Sequence, residues 1–524
     1  MDKRQSLFTG TLVLVAASLV NRILGFVYQI FLIRLIKAEG IGLFTMVFPI
    51  YVLLLVLASF GIPVAIAKLI ADAVALNDAG RVYRLLHLSL VYTVLLSVTV
   101  TAAGIGTARF ITGQILSNPE THLPFICLLP GVLIVSVCSI FRGFFQGLQY
   151  MTPTAVTQTV EQLVRVTVGL FLASVLINRG VMAAACGASL GVVLGEFTGF
   201  VLMLVLFLRS SNLLLQPGRL RVRETGYLSR EIFRLAFPIT LMRLVSTGFL
   251  SLDAIIIPHR LIDIGMSTRD ATAVYGQFAG VAETLLYTPG LITIALSTAL
   301  IPAIAEALAG RNINLLTSRV NNALRLTIVT GLPSALVFFF FAEDLCRVVF
   351  GYPQAGAALQ VLAFGAPFLY LQQTTTGILQ GLGRPFVPFR NLVIASIFKV
   401  TGIYFLTGIP AYSIRGASAA LVIGFLIMSV LNLLDLRKLT GCPIWATEVM
   451  VKPAAGMIAA TVVLILGYGL IAGKGISTGL NLFYSILSVG AVYTAALIVL
   501  GVLKKSDWER LVYIFCKILS AIKK

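Results

Sequence analysis

Charge is what this chain has least of. Only 11% of its 524 residues are Asp, Glu, Lys or Arg, against about 25% in soluble domains. That shortage excludes a water-soluble globular fold of this size. Acids are scarcer than bases, 20 against 39, and no acidic cluster is available for phosphoryl chemistry. The six cysteines form no C-x-x-C pair, and most lie in apolar runs, where they read as small buried hydrophobes. The three histidines are scattered, so no metal site is expected. No Walker A motif occurs: Gly473-Lys474-Gly475 has the wrong spacing. No nucleophile–base set is recognisable either. Together these absences argue against an enzyme, against a resident cofactor and against a built-in ATP motor.

What remains is apolar. Hydrophobic residues make up 58% of the chain and the mean hydropathy is +1.00. Runs near the length needed to cross hydrocarbon recur from end to end, which predicts an all-α integral membrane protein rather than a barrel. We count fourteen such runs. Residues 41–71 are long for one span and imply a tilted helix or an interfacial end. The start, with Lys3 and Arg4 before an apolar stretch, imitates a signal peptide. The apolar run resumes after Arg22 and reaches Leu35, so it reads as a first spanning helix. The net charge of +19 does not point to nucleic acid. Lys and Arg concentrate in segments on one side, which orients the protein with both termini cytoplasmic. The same excess would meet anionic lipid headgroups.

The chain also repeats itself. Gly61-Ile62-Pro63-Val64-Ala65-Ile66-Ala67 resembles Leu300-Ile301-Pro302-Ala303-Ile304-Ala305 at an offset of 239, and Arg81-Val82 resembles Arg319-Val320 at 238. Gln146-Gly147-Leu148 matches Gln380-Gly381-Leu382 at 234, and Gly187-Ala188-Ser189 matches Gly416-Ala417-Ser418 at 229. Four matches in one order predict two six-helix lobes related by a parallel repeat, plus two C-terminal helices. The expected organisation is an N-lobe over 1–208, a basic cytoplasmic linker over 209–234 and a C-lobe over 235–437. The last two spans would occupy 438–503. The tail 504–524 has Leu511, Phe515, Ile518, Leu519 and Ile522 at helical spacing among lysines, the pattern of an amphipathic helix on the inner leaflet.

Four cations fall inside the spans at matched places. Arg22 and Arg243 lie in the first helix of each lobe, and Arg165 and Lys399 each lie 19 residues after a repeated glutamine. A charge at the bilayer centre costs about 2.5 kcal/mol or more, so it faces water, a partner or a substrate. The expectation is a cavity between the lobes that binds an anion. Four carboxylates accompany them. Glu161 is four residues before Arg165 and can pair with it on one face. Glu161, Glu196, Asp253 and Glu283 are candidates for coupling to Na+ or H+. Gly187-x3-Gly191-x3-Gly195 puts three glycines on one helix stripe.

Several stretches are similar to one known family. Asn21-Arg22-Ile23-Leu24-Gly25-Phe26, Phe141-Arg142-Gly143-Phe144-Phe145-Gln146-Gly147, Glu161-Gln162-Leu163-Val164-Arg165 and Leu296-Ser297-Thr298-Ala299-Leu300-Ile301-Pro302 resemble the polysaccharide and lipid II flippase branch of the multidrug/oligosaccharidyl-lipid/polysaccharide superfamily. That resemblance implies an alternating-access transporter of undecaprenyl-diphosphate-linked precursors, serving spore cortex or cell-wall synthesis beside the synthases. It places Arg22 on the cavity arginine of the family's first helix. The chain departs from the lipid II flippases at Tyr28-Gln29, where they carry Arg-Asp. Two other readings stand beside this one. A cation or drug antiporter of the MATE type would need an acidic cavity, which Glu161, Glu196 and Glu283 could supply. A non-transporting scaffold for cell-wall synthases would tolerate neutralised buried charges.

Overall fold

The computed structural model describes residues 7–211, 222–441, 443, 445–471 and 478–502. The tail helix expected over 504–524, part of the linker, and Cys442 and Cys516 lie outside them. The described chain is helical throughout. Helices α1 (Leu7–Ser59), α2 (Ile62–Ala75), α3 (Ala79–Phe110), α4 (His122–Gly147), α5 (Thr152–Leu176) and α6 (Val181–Ser211) come first. They are followed by α7 (Val222–Asp263), α8 (Thr268–Gln277), α9 (Glu283–Tyr287), α10 (Gly290–Ala309), α11 (Ile313–Phe340) and α12 (Ala342–Leu345). The last six are α13 (Gly356–Ala363), α14 (Ala366–Gly381), α15 (Phe386–Thr407), α16 (Ile414–Thr440), α17 (Lys452–Ile471) and α18 (Thr478–Val499).

Among the described residues, twelve helices are long and apolar enough to cross a membrane, or thirteen if α13 and α14, bent by 59°, form one span. The expected fourteen is not reached on those criteria. The bookends of the long run Ala16–Ala75 explain part of the difference. Sixty residues of helix would measure ~90 Å, about three hydrocarbon thicknesses. The backbone leaves helical geometry at Lys37 (φ +62°). It breaks again at Phe60 and Gly61, both at positive φ, so the long second run is two helices rather than one tilted one. Gly61 is required there: a Cβ would stand 2.8 Å from the Ala236 carbonyl oxygen.

The chain forms two compact units, residues 1–284 with 396–420, and residues 285–395 with 421–524. The first has a core of Ile62, Ile66 and Ile70 from α2, Leu85 from α3 and Phe144 and Phe145 from α4. The second has a core of Ile304, Val320, Leu324, Ile378, Leu379 and Leu436.

Within each unit the same local structure recurs, in a single register. In the first, α2 ends with Asn77 in the left-handed region, Asn77 N–H bonding Val74 O and Asp78 N–H bonding Ala73 O. Asp78 then caps α3 by accepting from Arg81 N–H at 2.7 Å. In the second, Arg311 is left-handed, Arg311 N–H bonds Leu308 O, Asn312 N–H bonds Ala307 O, and Asn312 caps α11 by accepting from Leu315 N–H at 2.9 Å. Each is a Schellman termination followed by an N-cap. The glycines agree. A Cβ on Gly143 or Gly147 of α4 would stand 2.5 Å from Pro63 O and 2.7 Å from Ala67 O. One on Gly377 or Gly381 of α14 would stand 2.5 Å from Ser297 O and 2.8 Å from Ile301 O. All these pairs are 234 residues apart. The offsets of 239 and 238 expected for Pro63/Pro302 and Arg81/Arg319 are therefore wrong. Both came from similar apolar text a turn away from the true register. The 234 offset pairs Arg165 with Lys399.

Candidate functional site

The glycine stripe of α6 fixes the first cluster. Gly187, Gly191 and Gly195 leave no room for a Cβ: it would meet Ala173 N at 2.8 Å, Gly169 N at 2.7 Å and Glu161 O at 2.7 Å on α5. The two backbones therefore approach closely, as small residues allow between membrane helices. That contact brings Glu161 and Arg165 of α5 against Glu196 of α6. Arg165 Nη2 lies 2.9 Å from Glu161 Oε1 and 3.7 Å from Glu196 Oε1. Arg142 of α4 closes the far side, its Nη2 2.7 Å from Glu161 Oε2. Tyr51 of α1 donates its hydroxyl to Glu196 Oε2 at 2.7 Å. Gly131 of α4 provides the space, since a Cβ there would lie 2.5 Å from both Glu196 Oε2 and the Tyr51 hydroxyl. Two arginines face two carboxylates, so the cluster is neutral as a whole. Glu196, without a local cation in the sequence, acquires one from the neighbouring helix.

Lys399 of α15 belongs to a second cluster. Its Nζ lies 2.5 Å from Asp253 Oδ2 of α7, with side-chain exposures of 11% and 15%. The other carboxylate oxygen, Oδ1, is buried without a hydrogen-bond partner. Glu283 is within electrostatic reach of both Asp253 and Lys399, as is buried Tyr275 of both carboxylates. Glu283 begins the short helix α9. It follows a π-helical turn, Phe278–Ala282, and precedes the break at Thr288 and Pro289. Such turns interrupt helices often at functional positions. Of the two carboxylates here, Asp253 is the one in an ion pair with the ammonium.

Arg22 and Arg243 differ from the other pair. Both are exposed and neither enters an ion pair among the described residues. Both lie in the first compact unit. Gly25, one turn after Arg22, faces the Gln162 side chain of α5. Tyr28 is buried against Gly169, and Gln29 donates to the Gly280 carbonyl at 3.4 Å. The two positions where the resemblance leads one to expect Arg and Asp are thus used for packing and a backbone contact.

Sequence reasoning missed Arg142, Tyr51 and Gly131. Arg142 stood in a quoted motif, but nothing in its spacing points to Glu161 on the next helix. Among the described residues no group of three or more His, Cys, Asp or Glu is placed to hold a metal ion.

Comparison with known proteins follows the same lines. The sequence model described as polysaccharide biosynthesis protein matches residues 7–308, and the MatE model matches residues 277–405. Stage V sporulation protein B of Bacillus subtilis (strain 168) is 31% identical, over 97% of this chain and 98% of its own. The lipid II flippase MurJ of the same organism is 25% identical over 86% of each chain. Among solved structures, a lipid II flippase MurJ in an inward closed conformation aligns with a TM-score of 0.71 at 14% identity, covering 93% of this chain and 98% of that one. An inward-facing multidrug resistance MATE transporter aligns with a TM-score of 0.66 at 16% identity, covering 80% and 94%. These structural likenesses concern the fold.

Proposed function

This chain belongs to the polysaccharide biosynthesis protein family, and from that premise we propose that it is a flippase for an undecaprenyl-diphosphate-linked peptidoglycan precursor, lipid II or a related lipid-linked oligosaccharide. The observation that carries the reading is the contrast among the four intramembrane cations. Arg165 and Lys399 are held by carboxylates, while Arg22 and Arg243 remain exposed and unpaired among the described residues. An unpaired guanidinium within an apolar helix is costly unless it meets an anion. A diphosphate offers several oxygens to the planar donor fork of arginine. We assign Arg22 and Arg243 the first contacts with the diphosphate. Arg165 and Lys399 would contact it only by exchanging their carboxylate partners for phosphate oxygens. The prenyl chain stays in lipid while alternating access exposes the headgroup to each side.

The carboxylates Glu161, Glu196, Asp253 and Glu283 are the candidates for coupling to Na+ or H+. The cytoplasmic membrane, cytoplasmic termini, a spore cortex or cell-wall role, and neighbouring synthases complete the proposal. A second reading has one observation in its favour. The excess carboxylate at Asp253, Glu283 and Lys399 would suit an organic cation, as in a MATE-type antiporter.

The test is binding of lipid II to the purified protein in nanodiscs, wild type beside Arg22→Ala and Arg243→Ala. Losing one charge-assisted contact should weaken binding by about tenfold or more per variant. Binding unchanged in both folded variants removes these arginines from the site. Binding of organic cations but not of lipid II moves the assignment to the antiporter.

A further inference from the structure

Outside both charge clusters, the start of α7 forms a cleft of about 620 Å³ lined by Phe60, Arg230, Phe233, Arg234 and Phe237. Its construction begins with the break between α1 and α2. Positive φ at Phe60 turns that ring towards α7, where its centroid lies 5.8 Å from Phe233 and 6.5 Å from Phe237. Tyr92 of α3 backs Phe233 at 5.1 Å and its hydroxyl hydrogen-bonds Ser229 at 2.7 Å. Arg81 of α3 binds Glu231 at 2.8 Å. That ion pair matters for charge, because Glu231 is the only acid between residues 226 and 240. With Glu231 taken, Arg230 and Arg234 are exposed and have no ion-pair partner among the described residues. Phe237, 58% exposed, lies seven residues beyond Arg230, about 10 Å further along the helix.

We propose that this cleft binds one anionic glycerophospholipid of the inner leaflet, its phosphate between Arg230 and Arg234 and an acyl chain along Phe60, Phe233 and Phe237. The arrangement matches such a lipid: two cations at the cytoplasmic entry of the span, with Phe233 between them along α7 and Phe237 about 4.5 Å beyond Arg234. Long basic side chains at a helix end and aromatic rings below them are the expected partners of the headgroup region. The transported lipid is the poorer occupant. Arg234 and Arg243 are nine residues apart on α7, about 14 Å along the axis and about 180° around it, so they project from opposite faces of the helix. Phe60 borders the α1–α2 break, so the bound lipid would brace the point where those helices meet α7. The proposal rests on the cytoplasmic placement of the linker and not on the identity of the transported substrate.

The experiment is native mass spectrometry of the purified full chain, titrated with phosphatidylglycerol and separately with phosphatidylcholine. Wild type is compared with Arg230→Gln/Arg234→Gln and with Arg437→Gln/Lys438→Gln, two exposed basic residues at the end of α16. Wild type should retain one phosphatidylglycerol in preference to phosphatidylcholine. The Arg230/Arg234 variant should bind it about thirtyfold more weakly, and the Arg437/Lys438 variant should match wild type. Melting temperatures equal to wild type will show that the variants are folded, as exposed residues without an ion-pair partner among the described residues should allow. Phe237→Ala should weaken retention of long-chain lipids and leave the preference for charge. The proposal fails if the Arg230/Arg234 variant binds as wild type does, if both double variants lose binding equally, or if phosphatidylcholine binds as tightly. Displacement by millimolar inorganic phosphate, or by lipid II at lower concentration than phosphatidylglycerol, would also overturn it. Either would identify a phosphate site or a substrate site in its place.

Discussion

Replacing Lys399 with Met should destabilise the protein, and replacing Asp253 with Asn at the same time should restore it. The magnitudes follow from the geometry. At 2.5 Å and an effective dielectric of about 20, the attraction between the two charges is about 7 kcal/mol. Removing both groups from water takes back most of that, so the pair as a whole contributes little net stability. Losing one partner is different. Lys399→Met leaves Asp253, with its Oδ1 already unpartnered, beside Glu283 and no cation, a cost of about 3–5 kcal/mol. Asp253→Asn should cost less, because Glu283 remains to face the ammonium. The double variant should return to within about 1 kcal/mol of wild type. Thermal unfolding of the detergent-purified protein, followed by size-exclusion retention, reads this as a drop of several degrees in the Lys399 variant and recovery in the double. If Lys399→Met is as stable as wild type, or if the two single effects simply add, the buried-pair reasoning is refuted. Lipid II binding by the stable double variant then separates roles: retention makes the pair structural, and loss makes Lys399 part of the anion site.

Other outcomes follow from the packing. Tyr51→Phe removes the hydroxyl that Glu196 accepts from and should cost about 1.5–3 kcal/mol in unfolding experiments. Gly131→Ala should be at least as damaging, because its Cβ would occupy the space of that same hydrogen bond. Gly147→Leu and Gly381→Leu, at equivalent positions of the two copies, should each overpack a helix contact by about 1–3 kcal/mol and lower the melting temperature similarly. A large difference between them would contradict the shared 234-residue register.

How far the sequence carried the fold can be traced through particular residues. Apolar length sets helix existence, because the bilayer requires it, and the helices appeared where the runs stood. The glycine stripe of α6 was visible as a spacing, and small residues at that spacing have one main use in a membrane. The breaks were not visible. Phe60 and Arg311 adopt positive φ without being glycine or asparagine, so composition gave no warning there; Asn77 alone of the three is a residue type that favours this conformation. The repeat was detectable, and one of its four matches, Gln146 with Gln380, already had the 234 register, but nothing in the sequence set it above the matches at 239 and 238. Hydrophobic segments resemble one another at several alignments, and only hydrogen-bonded turns and glycine contacts select one.

The charges divide in the same way. By itself the sequence determined that this is an all-helical membrane protein built on a repeat, with four cations in apolar surroundings, because those properties depend on local composition and transfer energy. It also determined that Glu161 and Arg165 could meet, since one helical turn joins them. Tertiary structure decided which cations are neutralised. Arg142 reaches Glu161 across a helix hairpin, Tyr51 reaches Glu196 from 145 residues away, and Asp253 reaches Lys399 from 146. No periodicity connects such pairs, because contacts between helices depend on how the chain returns rather than on how it begins. The four intramembrane cations therefore divide into two held by carboxylates and two exposed without an ion-pair partner among the described residues.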